Sequence, residues 1–530
     1  MNQAEIKRRQ AEELANILTL VAVFVMGNLM AEGGITYLAA AAVSCIFVGT
    51  AVSGNLSDTL GKLLRSRRNK GQYRNIPVMR RSVLLFQTGL ALAGTLLLLL
   101  LAGTLSERIF QISHSSFIIM ALSPVIVLRT VSNVLQGYFQ GEGAELPRAA
   151  AGILRQVLIL GLGCLFCKIA GRYGEKVSAL LMEPDFTPMY SCIGIAFGVS
   201  LAEMIIILLL AVLFRLSRQR ERKLKQEGMY TESAWDCIRN LYGSRWPQLA
   251  VLLVLVLTPV LGLLLFSRAA SKEQINVLQY DIYMGKYLVI CGVLICLISV
   301  LVLPVTGRIF QGFRREENRF ARTAFQAGVH LCVVHGIFLL VYVAVMGAQI
   351  SGLLGGIYGE EVKKMLQGGS AFILFAALSL YFFRFLQAMG KKYLVLGAAG
   401  IAEAGFLVTI LITSKKGIVS LVYGGLAGSF LFCILLGILS YRLLRMRPDW
   451  PAILLIPAGA GGVCGLLCML FGKFLAPAVG NLPVLLIAAL VSGAVYWGIL
   501  LILRNFREQE LDIIPGGRIL HMLGQMMHIY

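Results

Sequence analysis

Apolar runs long enough to cross a membrane recur along the whole chain, separated by short polar breaks. A helix spanning the hydrocarbon core needs roughly 20 predominantly apolar residues, and the pattern predicts fourteen of them. They fall at 14–31, 36–57, 83–105, 115–136, 149–170, 189–214, 246–267, 287–306, 324–347, 369–388, 393–413, 419–440, 451–472 and 481–503. Only Glu32, Gly33 and Gly34 divide the first two runs, which fits either a tight outer turn or a kink in re-entrant backbone. The expected fold class is an all-α polytopic membrane protein.

The polar breaks then set an orientation. Lysine and arginine in short loops are retained on the cytoplasmic side, and residues 61–81 carry Lys62, Arg65, Arg67, Arg68, Lys70, Arg74, Arg80 and Arg81 without an acidic residue. Basic clusters return at 215–225, at 308–322, at Lys391 and Lys392, and at Arg442, Arg445 and Arg447. Arg172, Lys176, Arg268, Lys272, Lys415 and Lys416 are exceptions on the opposite side. With an even number of crossings, both termini are expected in the cytoplasm. Glu5, Glu12 and Glu13 interrupt the basic start of a cleavable signal peptide, so the N-terminus is expected to be retained.

Composition adds little that the pattern does not already say: 530 residues, 58% hydrophobic and 14% charged, with mean hydropathy +0.78. The formal charge of +21 reads as a topology signal and an affinity for anionic headgroups, not as a nucleic-acid surface. Most of the eleven cysteines lie inside apolar runs, including the Cys164/Cys167 and Cys464/Cys468 pairs, and are expected as buried thiols. No metal site, nucleophile–base pair or phosphate-binding loop is visible, so no enzyme is expected. Nor is an ATP-hydrolysing domain visible; no cofactor is expected, and any accumulation would draw on an ion gradient, the membrane potential, consumption of the substrate on the far side, or a combination of these.

A faint repeat organises the chain. The stretch from Gly61, GKLLRSRRNKGQYRN, resembles GRIFQGFRREENRFA from Gly307, and LQGYFQG at 135–141 resembles LQAMGKK at 386–392. Both elements fall on the same inferred side, which predicts two parallel six-helix lobes plus two C-terminal helices: 1–225, 226–447 and 448–530. Two lobes around a path suit alternating access.

SDTLGKLLRSRRNKGQYRN, LQGYFQGEGAELPRAAAGILRQV and the tail LDIIPGGRILHML resemble bacterial polysaccharide exporters related to stage V sporulation protein B, in the multidrug/oligosaccharidyl-lipid/polysaccharide flippase superfamily. The most specific part is Gly137, Tyr138, Phe139, Gln140 and Gly141, followed by Pro147. Two positions depart from that family's pattern: Gln136 stands where arginine is frequent, and Arg155–Gln156 replaces a Glu-Gln pair. The resemblance implies a flippase in the bacterial cytoplasmic membrane that moves a polyprenyl-pyrophosphate-linked glycan, with membrane lipids and cell-envelope biosynthesis proteins as partners. It also implies that the last two helices extend a groove for the lipid tail. The alternative is an ion-coupled small-molecule or multidrug antiporter.

On that reading Arg129, Arg155 and Arg384 are the substrate-binding candidates, because a guanidinium offers a fork of donors to phosphate. Arg129 is expected about two turns inside the cytoplasmic end of span 4. Glu203 and Glu403, near the centres of spans 6 and 11, are candidates for charge balance or ion coupling. His330 and His335 are five residues apart, are expected as a buried hydrogen-bonded pair, and are candidates for proton coupling. Gly137 and Gly141 are expected to let the inner end of span 4 turn around Tyr138, Phe139 and Gln140.

Overall fold

The structure, a computed structural model, describes residues 3–221, 232–273, 275–354 and 356–526. Among them every regular element is helical, and fourteen helices are long and apolar enough to span a membrane. Span 3 (Asn75–Ile109) shows how the pattern works. Val83, Gln87, Ala91, Leu98 and Ala102 are buried at helical spacing, while Leu85, Leu92, Leu96 and Leu100 are exposed on the other side. Leucine outside and glutamine inside is the order expected where lipid is the solvent.

Two compact units are present. The N-terminal unit runs from Leu18 to Asp281; the C-terminal unit comprises the residues up to Ile17 and those from Ile282 onward. Span 7 (Ala234–Glu273) packs in the N-terminal unit, against helices Gly34–Ser53 and Asn75–Gly103. The boundary expected at 225/226 lies outside the described residues.

Between spans 1 and 2 the backbone makes a tight turn. Gly33 sits there at φ 83°, and a Cβ would approach a Leu278 methyl to 2.8 Å, so only glycine meets both demands. Helix Gly34–Ser53 then carries a charge of the right sign at each end. Asp281 accepts bonds from the Thr36 backbone N–H and hydroxyl at 2.5 and 2.7 Å. At the other end the helix breaks at Gly54 and Asn55, and the fully buried Arg245 donates to the carbonyls of Gly54 and Val52 at 2.7 and 2.8 Å. Anion at the N-terminus and cation at the C-terminus both stabilise the helix dipole. After the break the chain forms the amphipathic helix Leu56–Asn69.

Candidate functional site

Three helices of the N-terminal unit bring charges together near mid-span. Span 4 is helical as Val125–Glu142, so Arg129 lies thirteen residues, roughly 20 Å, from the helix end. That is more than two turns from the helix end, because the helix continues through the motif that follows position 136. Arg155 comes from helix Glu145–Leu181 and Glu203 from helix Phe186–Glu221. The Arg155 Nε lies 3.0 and 3.1 Å from the two Glu203 carboxylate oxygens, and its Nη2 donates to Ser132 Oγ at 2.7 Å. Gln136 donates to the same hydroxyl at 3.1 Å, and Arg129 Nε is 3.4 Å from Glu203 Oε1.

Exposure separates the roles. The side chains of Glu203 and Arg155 are 1% and 9% exposed, whereas that of Arg129 is 45% exposed. One carboxylate against two guanidinium groups leaves the trio with a charge of +1. Charge at this depth is costly unless compensated, and Arg129 retains open donor positions that an anion can fill.

The remaining candidates belong to the C-terminal unit and are engaged differently. Arg384, near the end of helix Ala371–Ala388, forms an ion pair with the buried Glu13 and donates to Ser299 Oγ at 2.5 Å. Glu13 was legible only as a carboxylate ahead of the first apolar run; nothing in the sequence pairs it with position 384. Glu403 is partly buried in span 11 (Lys392–Lys416). His330 and His335 are not bonded to each other, which corrects the expected pair. His330 Nδ1 lies 3.2 Å from Glu510 and Nε2 2.8 Å from Asn505 Nδ2, with the ring stacked on Phe506 at 4.3 Å. His335 Nδ1 bonds the Leu331 carbonyl at 2.9 Å, and its ring meets the edge of Trp497. The five-residue separation turns the two rings onto different faces.

The GYFQG motif is helical to Glu142, so the expected turn at Gly137 and Gly141 does not occur. The chain instead reverses at Gly143, φ 84°, where the amides of Gly143 and Ala144 return to the carbonyls of Gln140 and Phe139. Pro147 occupies the first turn of the next helix, where a missing N–H costs nothing. The two motif glycines serve close packing. A Cβ at Gly137 would stand 3.0 Å from the Ser57 carbonyl, and one at Gly141 2.6 Å from Leu64 Cβ. The flanking side chains fasten helix Leu56–Asn69 to the C-terminal end of span 4. Gln140 and Arg148 both donate to Asp58, at 3.2 and 2.6 Å, and Arg148 also bonds Gln140. Arg65 donates to the Gln140 carbonyl at 2.9 Å, and the fully buried Tyr138 donates to Glu142.

No protein-family model matches the chain. A 159-residue segment, 29% of this chain, is 28% identical to stage V sporulation protein B of Bacillus subtilis (strain 168) and spans 30% of that protein's length. Among solved structures, lipid II flippase MurJ in an inward closed conformation superposes with a TM-score of 0.64 at 14% identity, covering 93% of this chain and 98% of that one. The eukaryotic MATE transporter AtDTX14 gives a TM-score of 0.56 at 16% identity, covering 83% and 97%.

Proposed function

We propose that this chain, which has the MurJ/MATE-type fold of polytopic membrane transporters and a distant sequence likeness to stage V sporulation protein B, is an alternating-access flippase for a polyprenyl-pyrophosphate-linked glycan or cell-wall precursor. The observation that carries the reading is the Arg129–Glu203–Arg155 trio, a net cationic group near mid-span with one arginine half open. A pyrophosphate headgroup cannot enter bare hydrocarbon without losing its hydration and hydrogen bonds. A half-open guanidinium at mid-depth replaces part of both. Glu203 then keeps Arg155 oriented while Arg129 faces the passing anion, and no bond is made or broken in the cargo.

Under this reading the chain works as two six-helix lobes with two added C-terminal helices, and both termini are cytoplasmic. Arg384, neutralised by Glu13, is the weaker phosphate ligand of the three. The departures at Gln136 and Arg155 leave the headgroup open, so lipid II, the cargo in MurJ's name, is one candidate among several. The likeness to AtDTX14 supports a second reading, an ion-coupled small-molecule or multidrug antiporter.

Purified protein in liposomes decides between them. A leaflet-specific reaction on a labelled polyprenyl-pyrophosphate glycan should report protein-dependent movement without hydrolysis, above the background of protein-free vesicles. Inactivity toward every glycan tested, under sodium, proton and electrical gradients, combined with uptake of an organic cation, would establish the antiporter instead.

A further inference from the structure

We propose that the helical turn Tyr283–Tyr287, near the start of span 8, is the hinge on which this chain changes state during transport. The proposal rests on the alternating-access reading above and names the residues that bend.

The chain passes from one compact unit to the other at two places, between Ile17 and Leu18 and between Asp281 and Ile282. The first lies inside the regular helix Gln3–Leu29, in a stretch from Gln3 to Met26 that has neither glycine nor proline. Such a stretch is stiff, since sharp kinks come from proline, glycine or an irregular turn. At the second place the helix type changes. A 3₁₀ turn at Val277–Gln279 gives way to α-helix at Tyr280–Ile282 and then to a π turn at Tyr283–Tyr287, before the α-helix Leu288–Arg314 begins. In the π turn the Leu288 amide returns to the Tyr283 carbonyl, five residues back instead of four. One extra residue in a single turn interrupts the regular ladder, and helices bend at such turns.

Each side of the turn is held, and by a different unit. Before it, within the N-terminal unit, the Asp281 carboxylate accepts the Thr36 backbone N–H at 2.5 Å. The Thr36 hydroxyl lies 3.1 Å from the Leu278 carbonyl, and the Tyr280 ring is buried beside Phe266. Within the C-terminal unit, Lys286 donates to the Leu354 carbonyl at 2.8 Å, and the buried Tyr287 donates to the Gly369 carbonyl at 2.9 Å. Gly369 leaves room for that ring, because a Cβ there would collide with the Tyr287 hydroxyl. Residues 282–285 join the two sets of anchors. A rotation of one unit against the other is most readily absorbed in that short joint, where the helix is already irregular.

Deletion of Met284 in the full-length protein tests this. It leaves Leu288 four residues after Tyr283, so the same bond closes an ordinary α turn and both sets of anchors keep their partners. Spin labels at Arg68 and Lys391, exposed residues of different units, report movement in liposomes under sodium, proton and electrical gradients. The unaltered chain should show two distances whose proportions shift with the gradient. The deletion should leave one, and should lower transport of a labelled polyprenyl-pyrophosphate glycan at least about tenfold. Deletion of Phe474, in the π turn Phe471–Leu475 inside the C-terminal unit, should change neither. Hydrogen exchange in the unaltered chain gives a measurement that does not need the variant to fold: amides at 283–288 should exchange at least about tenfold faster than those at 294–300. Equal protection of the two stretches, a single distance in the unaltered chain, or two distances in the folded Met284 deletion would each overturn the hinge, while glycan movement by the unaltered chain would still stand for the transport reading. Two distances that the deletion reduces to one, in a protein that moves no glycan, would uphold the hinge and overturn the glycan reading.

Discussion

A single carboxylate between two guanidinium groups gives Glu203 a structural weight that its neighbours lack. Glu203→Gln leaves Arg155 buried without its counter-charge, and breaking a buried pair in this way costs about 3–5 kcal/mol. Thermal unfolding in detergent should therefore show a large loss, and the double variant Arg155→Met/Glu203→Met should recover much of it. Arg129 should behave oppositely. With its side chain 45% exposed, Arg129→Gln should change stability by less than about 1 kcal/mol. Its loss should appear in transport, as a fall of at least about tenfold in pyrophosphate-glycan movement at matched abundance, the size of one charge-assisted bond. Normal transport by folded Arg129→Gln would remove the residue from the path.

At the scale of elements, two short segments are held by small sets of contacts. Helix Leu56–Asn69 lies on the glycine face of span 4, so Gly141→Leu must displace Leu64 and should cost about 1–3 kcal/mol through overpacking. Asp58→Asn weakens the charge-assisted bond to Arg148 without adding bulk. It should speed tryptic cleavage between Lys62 and Arg74 while leaving the rest of the digest unchanged. The C-terminal segment is fastened by other means. His330 joins Glu510 and Asn505, Arg308 bonds the Asp512 carbonyl, and Leu511, Ile513 and Ile514 are buried. His330→Phe keeps the stacking on Phe506 but removes the ring nitrogen beside the buried Glu510 carboxylate, which keeps the Arg507 backbone N–H at 3.4 Å. Hydrogen exchange should rise across residues 505–520 by the equivalent of about 1–3 kcal/mol, with span 9 itself unaffected.

For the molecule as a whole, the orientation expected from the basic loops is open to direct measurement. A reporter fused near Arg68 should remain cytoplasmic, and one near Gly355 should be extracellular, with cysteine labelling in intact cells as an independent check. Access to Arg68 from outside together with protection at Gly355 would invert the arrangement. The transport assay belongs to this scale too, since movement of a headgroup between leaflets needs the complete chain. Its dependence on sodium, protons and voltage will decide whether Glu403 or the histidines have a coupling role.

The fourteen spans were legible in the sequence because the hydrocarbon thickness imposes a length and a composition on every crossing, whatever it packs against. Between spans 1 and 2 the sequence left a tight turn or a kink open, and the structure has the turn, at Gly33. What sequence left open was partnership. Glu203 lies 48 residues from Arg155 and Glu13 lies 371 residues from Arg384, and no local spacing links residues that far apart. His330 looked like a partner for His335, and only the folding back of the tail reveals Glu510. Arg245 offered no periodic signal at all, yet it satisfies the carbonyls at the break of span 2. The GYFQG motif was visible as a motif, but whether its glycines turn the chain or receive another helix depends on what lies within a few ångströms of each missing Cβ. Local periodicity is set by solvent and covalent geometry, and so is written along the chain; ion pairs, helix breaks and close approaches are set by elements meeting in space, and only the tertiary structure decides them.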